Sequence, residues 1–317
     1  MELEKLKLEY GNITDFGLER INFRGSRFYY RKHEYATNHF DTYIYPGVTS
    51  LLDKVLPKDP GLLKWFKSMD ENEIRRYFKE RELYGTLLHT KIAHLFKFGE
   101  IFTDELYAEI YNYLNDGKWW HLNIDLPKWE EEMTEDLLAF QQFVFDTNFK
   151  PSAVEVPFYS TKYKCATLID LIGELDVEER GFFGEFYKSG VNKDQPKETK
   201  GVKRYQAILD IKSGRNTLTS LAHECQLKIC QLMVEENYPD LNIEKLYNWH
   251  PKKFRTKPSY SLIDQTGKIS AGFIERKVAD YYEHHDPRGK KKLTFGGTIR
   301  LGEEPDAYQY KLIEDYL

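Results

Sequence analysis

Between residues 20 and 50 apolar and polar side chains alternate, in "SRFYYRKHEY" and "DTYIYPGVTS", and this period of two predicts two strands around a polar turn. The period then lengthens. In "VTSLLDKVL", "LLKWFKSM", "ENEIRRYFKERELYG" and "TLLHTKIAHLFKF" apolar residues return at three- and four-residue spacing, punctuated by Pro57, Pro60 and Gly99, which predicts a run of helices. "TDELYAEIYNYL" and "WEEEMTEDLLAFQQFVFDT" carry that pattern to about residue 147. Strand-type segments follow in "SAVEVPFYS", "CATLIDLIGELDV" and "YQAILDIKS". Next come a helix in "TLTSLAHECQLKICQLMVEE", strands in "EKLYNWHPK" and "PSYSLID", and a last helical stretch around "AGFIERKVADYYEHH". The order predicts one α/β domain over 1–317, a central mixed β-sheet flanked by helices with a largely helical N-terminal half. Its parts are a hairpin region at 1–50, a helical half at 51–147, a core sheet at 150–260 and a C-terminal extension at 261–317.

Composition narrows the class. A chain of 317 residues, 41% of them hydrophobic, can bury a large core. No apolar run is long enough to span a bilayer, and the charged start "MELEKLKLEYGN" lacks the apolar stretch of a signal peptide, so a cytoplasmic location is expected. Cys165, Cys225 and Cys230 are too few and too irregularly spaced for a disulfide framework or an iron–sulfur cluster. A net charge of −5 excludes a uniformly basic coat, so any binding to phosphate must come from local patches. Three are present: "PKETKGVKR" with Lys197, Lys200, Lys203 and Arg204; "PKKFRTK" with Lys252, Lys253, Arg255 and Lys257; and "RGKKK" with Arg288 and Lys290 to Lys292. Taken singly, each reads as a solvated charge run.

Candidate chemistry begins at "ILDIKSG", Ile208 to Gly214. Asp210 and Lys212 share one face of a predicted strand, while Leu209 and Ile211 face the core. A lone D-x-K is ordinarily an ion pair on a wet face. Asp170 in "ATLIDLIG" adds a second carboxylate among strand formers. If the two strands are neighbours, the carboxylates repel one another and favour a cation, and hard oxygen ligands select Mg²⁺ or Mn²⁺. Lys212 would then sit beside the reacting centre. His89, four residues after Gly85 in "YGTLLHTKIAHLF", lies on an amphipathic helix that could reach the same metal, although a packing histidine is the plainer reading. Gln226 in "SLAHECQLKIC" offers an amide to a base or phosphate, or is simply a polar helix position.

The succession G-x-x-x-H, a strand ending in I-D, then D-x-K, then a helix opening on Q, resembles the RecB-like branch of the PD-(D/E)XK nuclease superfamily, closest to its phage-type and mitochondrial-type exonucleases. "RFYY", "YPGVTSLL" and "LLKWF" are similar to flanking segments of that family, and the resemblance runs from about residue 25 to 235. It implies a restriction-endonuclease-like core and a Mg²⁺-dependent deoxyribonuclease, with Mn²⁺ able to substitute. By resemblance, His89, Asp170, Asp210 and the carbonyl of Ile211 match metal ligands, and Lys212 matches the catalytic lysine, acting with Asp170 and Asp210. Gln226 matches a DNA-contacting glutamine, and Glu155 in "VEVPF" an acidic position near the metal. Cys230 stands where the family's Q-x-x-x-Y motif has tyrosine. The stretch between Asp170 and Asp210 is longer than relatives commonly have, which implies an inserted hairpin near 177–205.

The expected partner is DNA, single-stranded or with free ends, in replication, recombination or repair, with no membrane. Trp65, Trp119 and Trp120 are candidate stacking surfaces for bases, with a place in the core the alternative for any of them. A non-catalytic nucleic-acid-binding module on the same fold and a sequence-specific endonuclease are the competing readings.

Overall fold

The computed structural model describes residues 8–9, 18–23, 26–35, 39–58, 61, 64–65, 67–189, 191, 193–214 and 220–285. The "RGKKK" patch and residues 286–317 of the C-terminal extension lie outside the described residues. The architecture is α/β. One sheet has six strands in the order β1 (Leu8–Glu9), β5 (Lys150–Ser160), β6 (Cys165–Phe186), β7 (Pro196–Ile211), β8 (Lys245–Lys252) and β9 (Ser259–Asp264). All neighbours are antiparallel except β7 and β8, so the sheet is mixed as the pattern predicts. A smaller sheet joins β2 (Leu18–Phe23), β3 (Ser26–Tyr35) and β4 (His39–Pro46). With β1, the hairpin region therefore holds four strands among the described residues where its alternation predicts two. Tyr29 and Tyr45 seat this sheet on Ala166 of β6.

Helices cover both faces of the large sheet. On one face lie α1 (Val48–Val55), α5 (Leu221–Asn237) and α6 (Ala271–Asp280), where Leu51, Leu227, Met233 and Ile274 pack with Ile172, Ile208 and Leu246. On the other lie α2 (Glu71–Phe98), α3 (Leu106–Asp116) and α4 (Leu126–Thr147), where Leu87, Leu88, Ile110 and Phe140 pack with Leu171, Leu209, Ile211 and Trp249. The helical half is thus packed down onto the sheet as core. Among the described residues no helix is long and apolar enough to cross a membrane.

Two local features position the site. The first is α2, opened by a capping box in which Asp70 accepts from Asn72 N (2.8 Å) and closed by Gly99 at φ 81°. A Cβ at Gly85 would lie 3.2 Å from Ser213 Oγ, so the glycine lets α2 lie against the end of β7. The second is a reversal of side-chain alternation. Val154 and its partner Leu171 face the α2–α4 core, yet Val156 and its partner Ile169 face the α1–α5 core. Between them stand Glu155, whose φ is 53°, and Asp170. A left-handed residue rotates the strand about its own axis, and both strands change faces there.

Beyond Glu174 on β6 and Ala207 on β7 the two strands continue as a two-stranded arm closed by Tyr187 N to Gln195 O (3.0 Å). This is the long hairpin expected near 177–205. Its lysines do not form a basic surface. Lys197 pairs with Glu185, Lys200 with Glu178, Lys203 with Glu179, and Arg204 with Glu174 and Asp176. Cross-strand register sets these pairs, and each neutralises a cation that the sequence leaves looking free. The tip instead exposes Phe182 and Phe186, ring against ring at 5.1 Å.

Candidate active site

The pair Leu171–Leu209 fixes the register of β6 and β7, so one step on Asp170 and Asp210 stand opposite each other, as the two carboxylate-bearing strands predict. They serve different partners. Asp170 Oδ2 accepts from Ile211 N (2.7 Å), and its Oδ1 lies 3.5 Å from His89 Nδ1. His89 reaches down from α2, with Nδ1 2.9 Å from Glu155 Oε1 and Nε2 3.1 Å from the carbonyl of Ile211. One ligand atom from each of His89, Glu155 and Asp170 falls within 4.8 Å of the others. Two carboxylates and an imidazole at this spacing fit a small divalent cation, and the Ile211 carbonyl adds an oxygen beside the other ring nitrogen of His89. Glu155, expected only beside the metal, joins the ligand group because the backbone reversal aims it there.

Asp210 belongs to a second, adjoining cluster. Lys212 Nζ lies 2.9 Å from its Oδ1 and 2.7 Å from its Oδ2. Gln226 Nε2 donates to Oδ1 (3.0 Å) and Asn248 Nδ2 to Oδ2 (2.5 Å). Asn248 is in turn held by Gln265 Nε2 (2.7 Å). The face that carries Asp210 and Lys212 is not the wet one of an ordinary D-x-K ion pair, for Asp210 is 6% exposed and Asp170 9%. Donors from β8 and α5 cover Asp210, and Ile211 N and His89 cover Asp170, so the face that the alternation sets apart from the core residues is a buried polar seam.

Electrostatics follow from that burial. Burial opposes a charge on His89, but Asp170, the bond to Glu155 and the field of Asp210 outweigh it and raise its pKa to about 10. Burial pushes the Asp170 carboxyl up to about 7, against the pull of His89. A cation binding here must displace the His89 proton. Its affinity is therefore expected to rise with pH, by up to about tenfold per unit where His89 alone gives up a proton and more steeply below about 7, where Asp170 also holds one, with proton release visible by calorimetry in buffers of different ionisation enthalpy. His89→Ala removes a ligand and leaves the carboxylates, so it should weaken the cation about 10–100-fold and cut the pH dependence. An unchanged Mn²⁺ titration would return His89 to a packing role.

The remaining expectations divide. Gln226 reaches the site through Asp210, and its Oε1 lies 3.5 Å from Lys212 Nζ. Cys230, in place of the family's tyrosine, is buried and its thiol is pushed far up by burial and the two aspartates, so it is inert there. His223 caps α5, its Nδ1 accepting from Ser220 N (3.5 Å). Trp119 takes the packing alternative, half-buried against the helical core under Lys79. Trp120 is exposed beside Tyr111, and Trp65 packs edge-on against Tyr77 (5.2 Å). Of the basic patches, Lys252, Lys253, Arg255 and Lys257 are exposed, make no ion pair among the described residues, and leave β8 directly after His250.

Asn248 and His250 escaped the sequence reading, yet the signal was present. "NWH" repeats on β8 the polar–apolar–polar alternation of "DIK" on β7, and the parallel register Asp210–Asn248 puts both sets on one face. No protein-family model and no curated protein matches this chain.

Proposed function

We propose that this protein is a divalent-metal-dependent DNA nuclease with a PD-(D/E)XK core, acting on free DNA ends. The observation that carries the reading is the junction of two clusters at the end of β7: His89, Glu155 and Asp170 with cation-ligand spacing, and Asp210 with Lys212 beside them. A Mg²⁺ held by His89, Glu155, Asp170 and the Ile211 carbonyl would supply Lewis acidity toward a phosphodiester and toward the attacking water. Lys212 donates to a phosphate oxygen or to that water, adding positive charge where negative charge grows. Gln226 and Asn248 hold Asp210, and Asp210 holds Lys212, so the lysine arrives preoriented. The exposed cations at 252–257 lie at the same end of the sheet and suit a phosphate backbone. A purely binding module has no use for a buried histidine and carboxylates that converge in this way, which favours the enzyme.

The test is one set of reactions with labelled linear and covalently closed circular DNA, single- and double-stranded, with Mg²⁺ or with EDTA. Metal-dependent products from linear single strands, with closed circles the poorest substrate, are expected. DNA retained without any metal-dependent product would leave the binding module. Circles cut as fast as linear molecules would make it an endonuclease.

A further inference from the structure

His250 is 2% exposed, and its Nδ1 lies 3.0 Å from the carbonyl of Gly214. A carbonyl only accepts, so Nδ1 carries the proton. Burial lowers the pKa of His250, which keeps the ring neutral. Its Nε2 is then a bare lone pair, and it is buried with no partner. A buried acceptor without a donor calls for an explanation, and the neighbouring strand carries a mobile donor in Lys212. The parallel register runs Asp210–Asn248, Ile211–Trp249, and Lys212 N donates to Trp249 O (2.9 Å). Lys212 therefore comes alongside His250 on the neighbouring strand, about 4.8 Å across the ladder and on the face where Asn248 already meets Asp210.

The Asp210 carboxylate has no acceptor direction to spare. Lys212 spans both oxygens, and Gln226 and Asn248 take one each. A cation that recruits Asp210 must displace a donor, and the ammonium is the one that a cation repels. Lys212 has a four-carbon stem and three N–H bonds, so it can turn without any backbone change.

We propose that Nε2 of His250 is the second seat of the Lys212 ammonium, taking over one of its hydrogen bonds when a divalent cation engages Asp210 and leaving its other N–H bonds for phosphate. His250 is then a positioning residue that acts through Lys212. The inference rests on the cation-binding part of the proposed function, extended by Asp210 joining the cation that His89, Glu155 and Asp170 hold, and not on hydrolysis. His223, over the same face, accepts from Ser220 N at Nδ1 and so carries its proton on Nε2, yet it makes no hydrogen bond to His250 Nε2.

The experiment follows the ring nitrogens of ¹⁵N-histidine-labelled protein by NMR during a Mg²⁺ titration without DNA, with His250→Gln to assign the signal. The Nε2 resonance should move from that of a bare acceptor toward that of a hydrogen-bonded one as Mg²⁺ saturates. Lys212→Met should abolish the movement while calorimetry still shows the cation binding. No movement at saturation, or the same movement in Lys212→Met, overturns the proposal, as does a failure of Mg²⁺ to bind. In a kinetic arm, His250→Leu should lower kcat about tenfold with KM for DNA unchanged and no fall in Tm, and His250→Gln, which keeps an acceptor, should recover part of the loss. A wild-type kcat in His250→Leu, or a loss that tracks Tm, sinks it. If the resonance moves but the protein cuts no DNA, the second seat stands and the nuclease reading falls.

Discussion

Asp210→Asn is expected to lower Mg²⁺-dependent DNA hydrolysis by about 10²–10³-fold, measured as initial rate on linear single-stranded DNA. The substitution preserves volume and removes the one negative charge that holds Lys212. It also places an amide NH₂ against the donors of Gln226 or Asn248, so the carboxylamide cannot satisfy all the groups around it. Because Asp210 is buried, a stability cost of about 1–3 kcal/mol should accompany the loss of rate. Lys212→Met separates the two effects. It removes the ammonium from a side chain that remains about one-fifth exposed, so the rate should fall as far with a smaller drop in Tm. Near-wild-type hydrolysis by either variant would dismiss this cluster as the reacting centre.

Phe140→Ala is expected to destabilise the fold by about 3–5 kcal/mol. Its ring is 0% exposed on α4 and meets Phe96 at 5.7 Å, Phe143 at 5.6 Å and Trp249 at 5.3 Å. Truncation leaves a cavity bounded by three aromatic rings that cannot collapse together without moving α2 or the sheet. For a domain of this size the loss lowers Tm by roughly 6–20 °C in a thermal melt. Phe145→Ala on the same helix, at 82% exposure, should stay within about 0.5 kcal/mol of wild type. Trp249 also supplies the carbonyl that receives Lys212 N, so the Phe140 variant should lose some rate at temperatures where it remains folded.

How far the site is legible in the sequence depends on whether alternation survives. Leu209 and Ile211 against Asp210 and Lys212 is an unbroken period of two, and the strand folds as that period says. Asp170 and Asp210 come together because each is the lone carboxylate in the apolar stretch of its strand, "ATLIDLIG" and "AILDI", and the strands are neighbours. Glu155 is not legible in the same way, since its direction depends on a left-handed backbone that reverses the very pattern used to read "VEVPF". The lysines at 197–203 mislead for another reason. Their glutamates lie 12 to 24 positions away in the chain and meet them only through the register of β6 on β7. The C-terminal end of α2 is legible because Gly99 punctuates the pattern there, whereas the strand Leu18–Phe23 has a partner but little alternation of its own.

The site draws His89 from the helical layer on one side of the sheet and Gln226 from the layer on the other, with β7 between them. Catalysis in such an arrangement is a sensor of registration between two separately packed bodies. A local opening that slid either layer by about an ångström would disconnect the imidazole from Asp170, or the amide from Asp210, while most helix and sheet remained intact. On mild heating, activity should therefore vanish before the far-ultraviolet circular dichroism changes, and the gap between the two transitions would measure how tightly the layers are geared to each other.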